Sequence, residues 1–248
     1  MTRQSFLHGA LVLAAAGFIS KILGVLYRIP FARLVGAEGM GLYQMAYPIY
    51  TMVLAVATAG FPVAISVLIS EKKAQGDRPG LQKVFRISLL LLSGMSLLMA
   101  WLLFSTAGFL ADNVLHDHRA VYSLVFISPA IFFAGTMSVF RGYFQGQQWM
   151  WPTALSQVLE QTVRVGTVLL GAWWLLPRGL EFAAAGATFG AVVGGMVGLV
   201  VLACYYFRFK RSSAKQEKAL VYSGTTSVSL GKELVRLAVP VSLGAVVL

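Results

Sequence analysis

Six long apolar segments limit what this 248-residue chain can fold into. Each is about 20 residues or longer, which is the length an α-helix needs to cross the hydrocarbon layer of a bilayer. Hydrophobic residues make up 58% of the chain and charged residues 12%, far from the values of soluble domains. The sequence therefore predicts an all-α polytopic membrane protein. We place the spans near residues 6–28, 42–70, 84–106, 120–140, 153–175 and 182–207.

The net charge of +11 is distributed between the apolar segments and not over a soluble basic domain. It therefore indicates membrane topology, with no nucleic-acid partner. Most Lys and Arg residues lie on one side of the predicted membrane, at Arg3, 71–86, Arg141 and 208–236. The positive-inside rule places that side, and with it the N-terminus, in the cytoplasm. The first segment also resembles a secretory signal peptide, but its length favours a retained span.

The spans divide the chain into three predicted parts. Residues 1–207 form a six-helix transmembrane lobe, and residues 208–232 form a basic cytoplasmic linker. Residues 233–248 begin a seventh helix that we interpret as truncated, because its apolar part extends only about 18 Å as a helix. A short re-entrant end is the alternative. The second span contains Pro48 and Pro62, so we expect it to be kinked.

The first span carries two cations, Lys21 and Arg28, in the stretch "SKILGVLYR". A charge at mid-membrane costs roughly 2.5–3.5 kcal/mol on insertion scales, so neither side chain should face lipid tails. Gly17 and Gly24 share a helical face with both cations, and aliphatic residues lie opposite. We expect this face to border protein or water, where Lys21 and Arg28 are available to an anionic group. Snorkelling of the two side chains toward the membrane surface is the alternative.

The fifth span carries a polar stripe on one helical face. It is formed at spacings of three and four residues by Thr153, Gln157, Glu160, Arg164, Thr167 and Gly171. Glu160 and Arg164 lie four residues apart and can pair. We expect Gln157, Glu160 and Arg164 to line a hydrophilic cavity and to contact a charged substrate. The alternative is an ion pair that only holds helices together.

The sixth span has a glycine at every fourth position. The row consists of Gly186, Gly190, Gly194 and Gly198. Small residues at this spacing allow two helix backbones to approach closely, so the row predicts helix packing and no chemistry.

The sequence offers little that indicates catalysis. The segment "DNVLHDHR" at 112–119 contains carboxylate and imidazole groups, but its spacing is typical of a solvated loop and not of a metal site. The chain has no zinc-helix signature, nucleophile elbow or phosphate-binding glycine loop. We therefore expect no enzyme, no cofactor and no metal. The single cysteine, Cys204, predicts packing only.

Four stretches carry a resemblance to a known family: "SKILGVLYRIPFARLVGAEGMGLYQMAYPIY", "AGFPVAISVLISEK", "FRGYFQGQQWMWPTALSQVLEQTVRV" and "ELVRLAVPVSLG". Together they closely resemble the stage V sporulation protein B group of polysaccharide-biosynthesis transporters. That group belongs to the superfamily of lipid II flippases and multidrug/toxin extruders (MATE). The resemblance implies the six-helix N-terminal lobe of a MATE-like or lipid II flippase-like fold, plus part of a seventh helix. In lipid II flippases, basic residues of the first helix line the central cavity, and Lys21 and Arg28 match those positions.

The resemblance also implies a function. It is the export of a lipid-linked anionic saccharide, such as a peptidoglycan precursor, across a bacterial cell membrane by alternating access. The expected partners are this substrate, the bilayer and a C-terminal lobe. An inactive fragment or a membrane scaffold is one alternative. A cation-coupled drug extruder is another, although drug cations would favour acidic residues in the cavity, and Glu160 lies beside Arg164.

Overall fold

The computed structural model describes residues 3–58 and 60–214, and this part is almost entirely helical, with no strand. A π-helical turn, Ala111–Leu115, extends the fourth helix, and a 3-10 turn, Leu176–Arg178, joins the last two. The helices are α1 (Arg3–Leu26), α2 (Arg28–Thr58), α3 (Phe61–Ala74), α4 (Arg78–Leu110), α5 (Ala120–Ile127), α6 (Pro129–Gly146), α7 (Trp151–Leu175) and α8 (Leu180–Ala214).

The first crossing is longer than predicted. The backbone N–H of Phe31 donates to the carbonyl of Tyr27 at 3.0 Å, so α2 continues almost directly from α1. The chain bends only at Gly36, where φ is 70° and ψ is −176°. The helix persists to this point because Phe31 and Val35 are buried against the protein. The segment after residue 28, predicted as a loop, is therefore helical as far as the bend, and Arg28 lies within a helix.

The second predicted span is interrupted near one of its two prolines. Helix α2 continues through Pro48, whereas α3 starts anew at Phe61 with Pro62 in its first turn. Gly60, which precedes α3, has φ 68°, a conformation that glycine adopts without steric cost. Proline is tolerated in a first helical turn because its missing N–H would have no partner there.

The remaining predicted spans match single helices or helix pairs. Segments 84–106 and 153–175 lie in α4 and α7, and segment 120–140 is divided between α5 and α6 at Pro129. Arg141, predicted to lie in a loop, is inside α6, which continues to Gly146. Helix α8 continues to Ala214 and so includes the first residues of the predicted linker. The rest of that linker and residues 233–248 lie outside the described residues.

Contacts between loops show that the chain crosses back and forth between two ends. At one end, Ser70 donates to the carbonyl of Gly146 at 2.9 Å, so the end of α3 meets the end of α6. At the other end, Arg119 forms an ion pair with Glu38, just after the Gly36 bend. The turns after α3 and α6 therefore lie at one end, and the Gly36 bend and the segment before α5 lie at the other. The charge pattern predicts this separation.

Within residues 3–58 and 60–214, four helical runs are long and apolar enough to span a membrane by length and composition. They are Leu7–Ala74, Arg78–Leu115, Ala120–Gly146 and Leu180–Arg211. The first is 68 residues long and includes the bend at Gly36, so it contains the first two predicted spans. Helix α7 is not among these runs, and its polar residues explain why. The chain is a multi-pass membrane protein.

Helix α8 packs against α7 along its glycine row. A Cβ atom added at Gly186 would lie 2.7 Å from the carbonyl oxygen of Gly171, and one at Gly194 would lie 2.7 Å from that of Glu160. Gly190 and Gly198 likewise contact α7, at Val168 and Glu160. At Gly186 and Gly194 the two backbones therefore approach more closely than any side chain would allow.

Candidate functional site

Three helices line an open cavity of about 780 Å³. It lies between α1, α2 and α7, and its lining includes three cationic side chains, those of Lys21, Arg28 and Arg164. Among the described residues that line it, none is acidic. The structure thus brings together four of the five predicted substrate-binding residues, because Gln157 lines the same cavity. The exception is Glu160.

Helix α1 turns its small and charged face toward this cavity. Gly17 and Gly24 line it together with Lys21 and Arg28, as the helical spacing predicts. On the opposite face, Ile22 is 42% exposed, consistent with contact with lipid. Both cations are also exposed to solvent on the open side of the cavity. A bound anion could therefore reach them without rearrangement of the helix.

Two glutamines of α7 fill the space that the glycines of α1 leave. The Nε2 atom of Gln157 would lie 3.7 Å from a Cβ atom at Gly17, and that of Gln161 would lie 3.2 Å from one at Gly24. The Ser20 hydroxyl donates to the carbonyl of Gln157 at 3.4 Å. Gln161 was not predicted from the sequence, although it lies one turn after Gln157. Its position against Gly24 becomes visible only once α1 and α7 are paired.

Glu160 points away from the cavity and binds two arginines. Its Oε1 accepts from Arg164 Nη2 at 2.8 Å, and its Oε2 accepts from Arg141 Nη2 at 2.7 Å. The side chains of Glu160 and Arg164 are only 13% and 17% exposed. The sequence predicts the i, i+4 pair but not Arg141, which comes from another helix. One carboxylate shared by two guanidinium groups leaves a net positive charge in this part of the protein.

A row of tyrosines forms the wall opposite α1. Tyr43 and Tyr47 line the cavity from α2, and Tyr47 accepts a hydrogen bond from Arg164 Nη1 at 3.3 Å. The Tyr27 and Tyr43 hydroxyls lie 2.8 Å apart, so the junction of α1 and α2 is fixed to the same wall. Gln44 and Thr51 add polar groups from α2. Tyr47 therefore contacts Arg164 from one side while Glu160 binds it from the other.

The residues of segment 112–119 that were considered as metal ligands contact one another and Arg119. Asp112 and His118 lie 2.8 Å apart, and Arg119 binds Asp117 at 2.9 Å. The hydrogen bond from Arg119 lowers the pKa of the Asp117 carboxyl. In residues 3–58 and 60–214, no group of three His, Cys, Asp or Glu side chains is arranged to hold a metal ion. The pairing at this end instead joins the π-helical turn to the start of the second crossing.

Comparison with known proteins identifies the family. The model of the polysaccharide biosynthesis protein family matches residues 6–232. The chain belongs to this family. It is 40% identical to stage V sporulation protein B of Bacillus subtilis over 209 residues, which cover 84% of this chain and 40% of that protein. It is 39% identical to the lipid II flippase MurJ of the same organism, again over 84% of this chain and 40% of the relative.

Solved structures show the same fold. A MATE protein in a straight conformation superposes with a TM-score of 0.73 at 16% identity, covering 98% of this chain and 53% of that one. A MOP-superfamily transporter from Pyrococcus furiosus gives a TM-score of 0.69 at 17% identity, covering 95% and 52%. The expected six-helix lobe of a MATE-like fold is confirmed. The chain spans about 40% of the length of these curated relatives and about half of the solved structures.

Proposed function

We propose that this chain is one lobe of a flippase that moves a lipid-linked anionic saccharide from the cytoplasmic to the outer face of a bacterial cell membrane. One observation carries the proposal: Lys21, Arg28 and Arg164 line one cavity that lacks acidic residues among its described lining. A pyrophosphate-linked headgroup is the class of ligand that such a cavity fits. Charge-assisted bonds from Lys and Arg to phosphate oxygens are about twice as strong as neutral hydrogen bonds.

The placement of Glu160 strengthens this assignment. Because its carboxylate is bound by Arg141 and Arg164 and faces away from the cavity, it does not neutralise Lys21 or Arg28. An anion that enters the cavity therefore meets positive charge on Lys21 and Arg28 that Glu160 does not compensate. The glutamines and tyrosines around these cations can donate hydrogen bonds to saccharide oxygens.

The direction of transport is supported by the membrane potential. An inside-negative potential favours outward movement of an anion by about 2.3 kcal/mol per charge per 100 mV. The lipid tail can remain in the bilayer while the headgroup crosses through the cavity. We propose that crossing occurs by alternating access between this lobe and a second one, since the relatives extend well beyond the matched region.

Two other functions are separated from this one by specific observations. A cation-coupled drug extruder would bind positively charged drugs, which the positive lining of the cavity would repel. A non-transporting scaffold or inactive fragment needs no exposed cations inside a cavity, and it would tolerate their loss. The proposed function is that of a transporter and not of an enzyme, with no cofactor.

Binding to the purified chain tests the proposal directly. The chain in uncharged detergent is titrated with lipid II, and bound lipid is measured by native mass spectrometry. Lys21→Ala should weaken binding about 10-fold to 100-fold. One hydrogen bond to a charged group contributes about 1.5–3 kcal/mol, and this loss of binding free energy corresponds to that change in affinity. Lys21→Arg should retain most binding, and Lys21→Glu should be weaker than Lys21→Ala because it adds repulsion. Ile22→Leu, on the lipid-facing side of α1, is the matched control.

Export is tested in a full-length family member that carries the same first-helix motif. Substitutions at the positions matching Lys21 and Arg28 are made in cells depleted of other lipid II flippases, and accumulated precursor is measured. Loss of export at normal expression supports the proposal. Wild-type export by both alanine variants would contradict it, as would unchanged lipid II binding by the Lys21→Ala chain.

A further inference from the structure

A second pocket, of about 610 Å³, lies at the opposite end of the lobe from the Arg119–Glu38 ion pair. Its described lining contains five basic side chains and no carboxylate. The basic residues are Lys72, Lys73, Arg78, Arg86 and Lys210. They come from the end of α3, the start of α4 and the end of α8. The pocket shares no lining residue with the central cavity, so it requires a separate explanation.

Buried aromatic rings form the floor of this basic pocket. Tyr143 and Tyr206 line it, and Tyr206 stacks on Phe85 with ring centroids 4.4 Å apart. Phe85 lies on α4 and Tyr206 on α8, so these rings fill the space between the two helices. Gln82 and Gln147 add amide groups beside the cations. The pocket therefore has a rigid apolar base and a rim of hydrogen-bond donors and positive charge.

An exposed apolar face leads from the pocket along α4 toward the membrane interior. Leu90, Leu97 and Trp101 follow Arg86 on one helical face and are 77%, 58% and 61% exposed. Gly94 lies on the same face, and a Cβ atom there would have no neighbour within 4 Å. Arg86 and Trp101 are 15 residues apart, or about 22 Å along a helix, more than the ~15 Å depth of one hydrocarbon leaflet. This face can accommodate an acyl chain.

We propose that the basic pocket binds the phosphate headgroup of an anionic phospholipid whose acyl chain lies along this face of α4. The phosphate would contact Arg78 and Arg86, which flank the start of the apolar face. Basic pockets between transmembrane helices are suited to anionic headgroups, and each Lys or Arg near the surface contributes about 1 kcal/mol. A soluble anion would use the cations but would gain nothing from the exposed residues of α4. The bound lipid would fix the ends of α3, α4 and α8 relative to one another.

The experiment compares two lipids with identical tails. The purified chain in uncharged detergent is titrated with dioleoylphosphatidylglycerol and with dioleoylphosphatidylcholine, and bound lipid is counted by native mass spectrometry. Phosphatidylglycerol should bind more tightly. The double substitution Arg78→Gln with Arg86→Gln should weaken its binding about 30-fold, and phosphatidylcholine binding should hardly change.

A matched control distinguishes lipid binding in the pocket from general attraction of the anionic lipid to positive charge. Arg208 and Arg211 lie near the same end of α8 and are exposed, but they do not line the pocket. The double substitution Arg208→Gln with Arg211→Gln removes the same charge and should leave phosphatidylglycerol binding within about twofold of wild type. Equal losses in the two double variants would overturn the proposal. Lys21→Ala should have no effect on this binding, because Lys21 belongs to the other cavity.

Two further outcomes test the lipid assignment without any substitution. Equal affinity of the wild-type chain for the two lipids would exclude recognition of an anionic headgroup. Glycerophosphoglycerol, the same headgroup without tails, should bind at least 10-fold more weakly than the lipid. If it binds equally well, the pocket is a soluble-anion site and the proposal is wrong.

Discussion

At the residue scale, Glu160 is bound by two arginines. Loss of the Glu160 charge should therefore destabilise the protein more than loss of the Arg164 charge. Glu160→Gln leaves Arg141 and Arg164 facing each other without their shared carboxylate. Arg164→Gln still leaves Arg141 paired with Glu160. We expect Glu160→Gln to lower the free energy of unfolding by about 3–5 kcal/mol, the typical cost of a buried unpaired charge. The loss for Arg164→Gln should be clearly smaller.

The measurement is the temperature at which half of the protein is lost from the monodisperse peak in size-exclusion chromatography. Thr162→Val is the control, since Thr162 lies on the exposed side of α7. The double variant Glu160→Gln with Arg164→Gln removes one charge of each sign and should be more stable than Glu160→Gln alone. A double variant that equals the sum of the single effects would show that these residues are not coupled.

At the element scale, α7 and α8 depend on glycines at which any side chain would meet backbone. A Cβ atom at Gly194 would lie 2.7 Å from the carbonyl oxygen of Glu160, and neither backbone can move independently. We expect Gly194→Ala to destabilise the protein by about 1–3 kcal/mol, the usual cost of overpacking. The same thermal assay measures this effect.

Gly166, on α7, provides the matched comparison for that prediction. A Cβ atom there would have no neighbour within 4 Å. Gly166→Ala should therefore be neutral or should stabilise the helix by up to about 1 kcal/mol, because alanine loses less conformational entropy. If the two substitutions have the same effect, close packing of α7 and α8 does not explain the glycine row.

The helices also show which contacts can be predicted from sequence periodicity and which cannot. Periodicity within one helix correctly places Lys21 and Arg28 on the small-residue face of α1 and pairs Glu160 with Arg164. It cannot reveal partners from other helices, and it therefore does not predict that Arg141 binds Glu160. For the same reason, the sequence does not predict that Gln161 lines the cavity. The stripe of α7 is in fact divided, since Gln157 faces the cavity while Thr153 is buried.

At the scale of the whole molecule, the fold places two sets of loops at opposite ends. The distribution of charge between these ends predicts which of them is cytoplasmic. The basic pocket, the ends of α3 and α6 and the end of α8 lie together at one end. The Arg119 ion pairs lie at the other end, where Glu38 and Asp117 both bind this one guanidinium group. Among the described residues, Lys and Arg side chains are concentrated at the first end, which the positive-inside rule assigns to the cytoplasm. The anionic lipids of the cytoplasmic leaflet would also attract these side chains.

Cysteine labelling in intact cells tests this orientation. The exposed Cys204 is first replaced by alanine, and a single cysteine is then introduced at Gln75 or at Asn113, two exposed polar positions at opposite ends. We expect a membrane-impermeant maleimide to label the Asn113→Cys protein in intact cells and the Gln75→Cys protein only after permeabilisation. The reverse pattern would invert the topology. It would then place the basic pocket in the outer leaflet and require the proposed substrate to enter the central cavity from the other side.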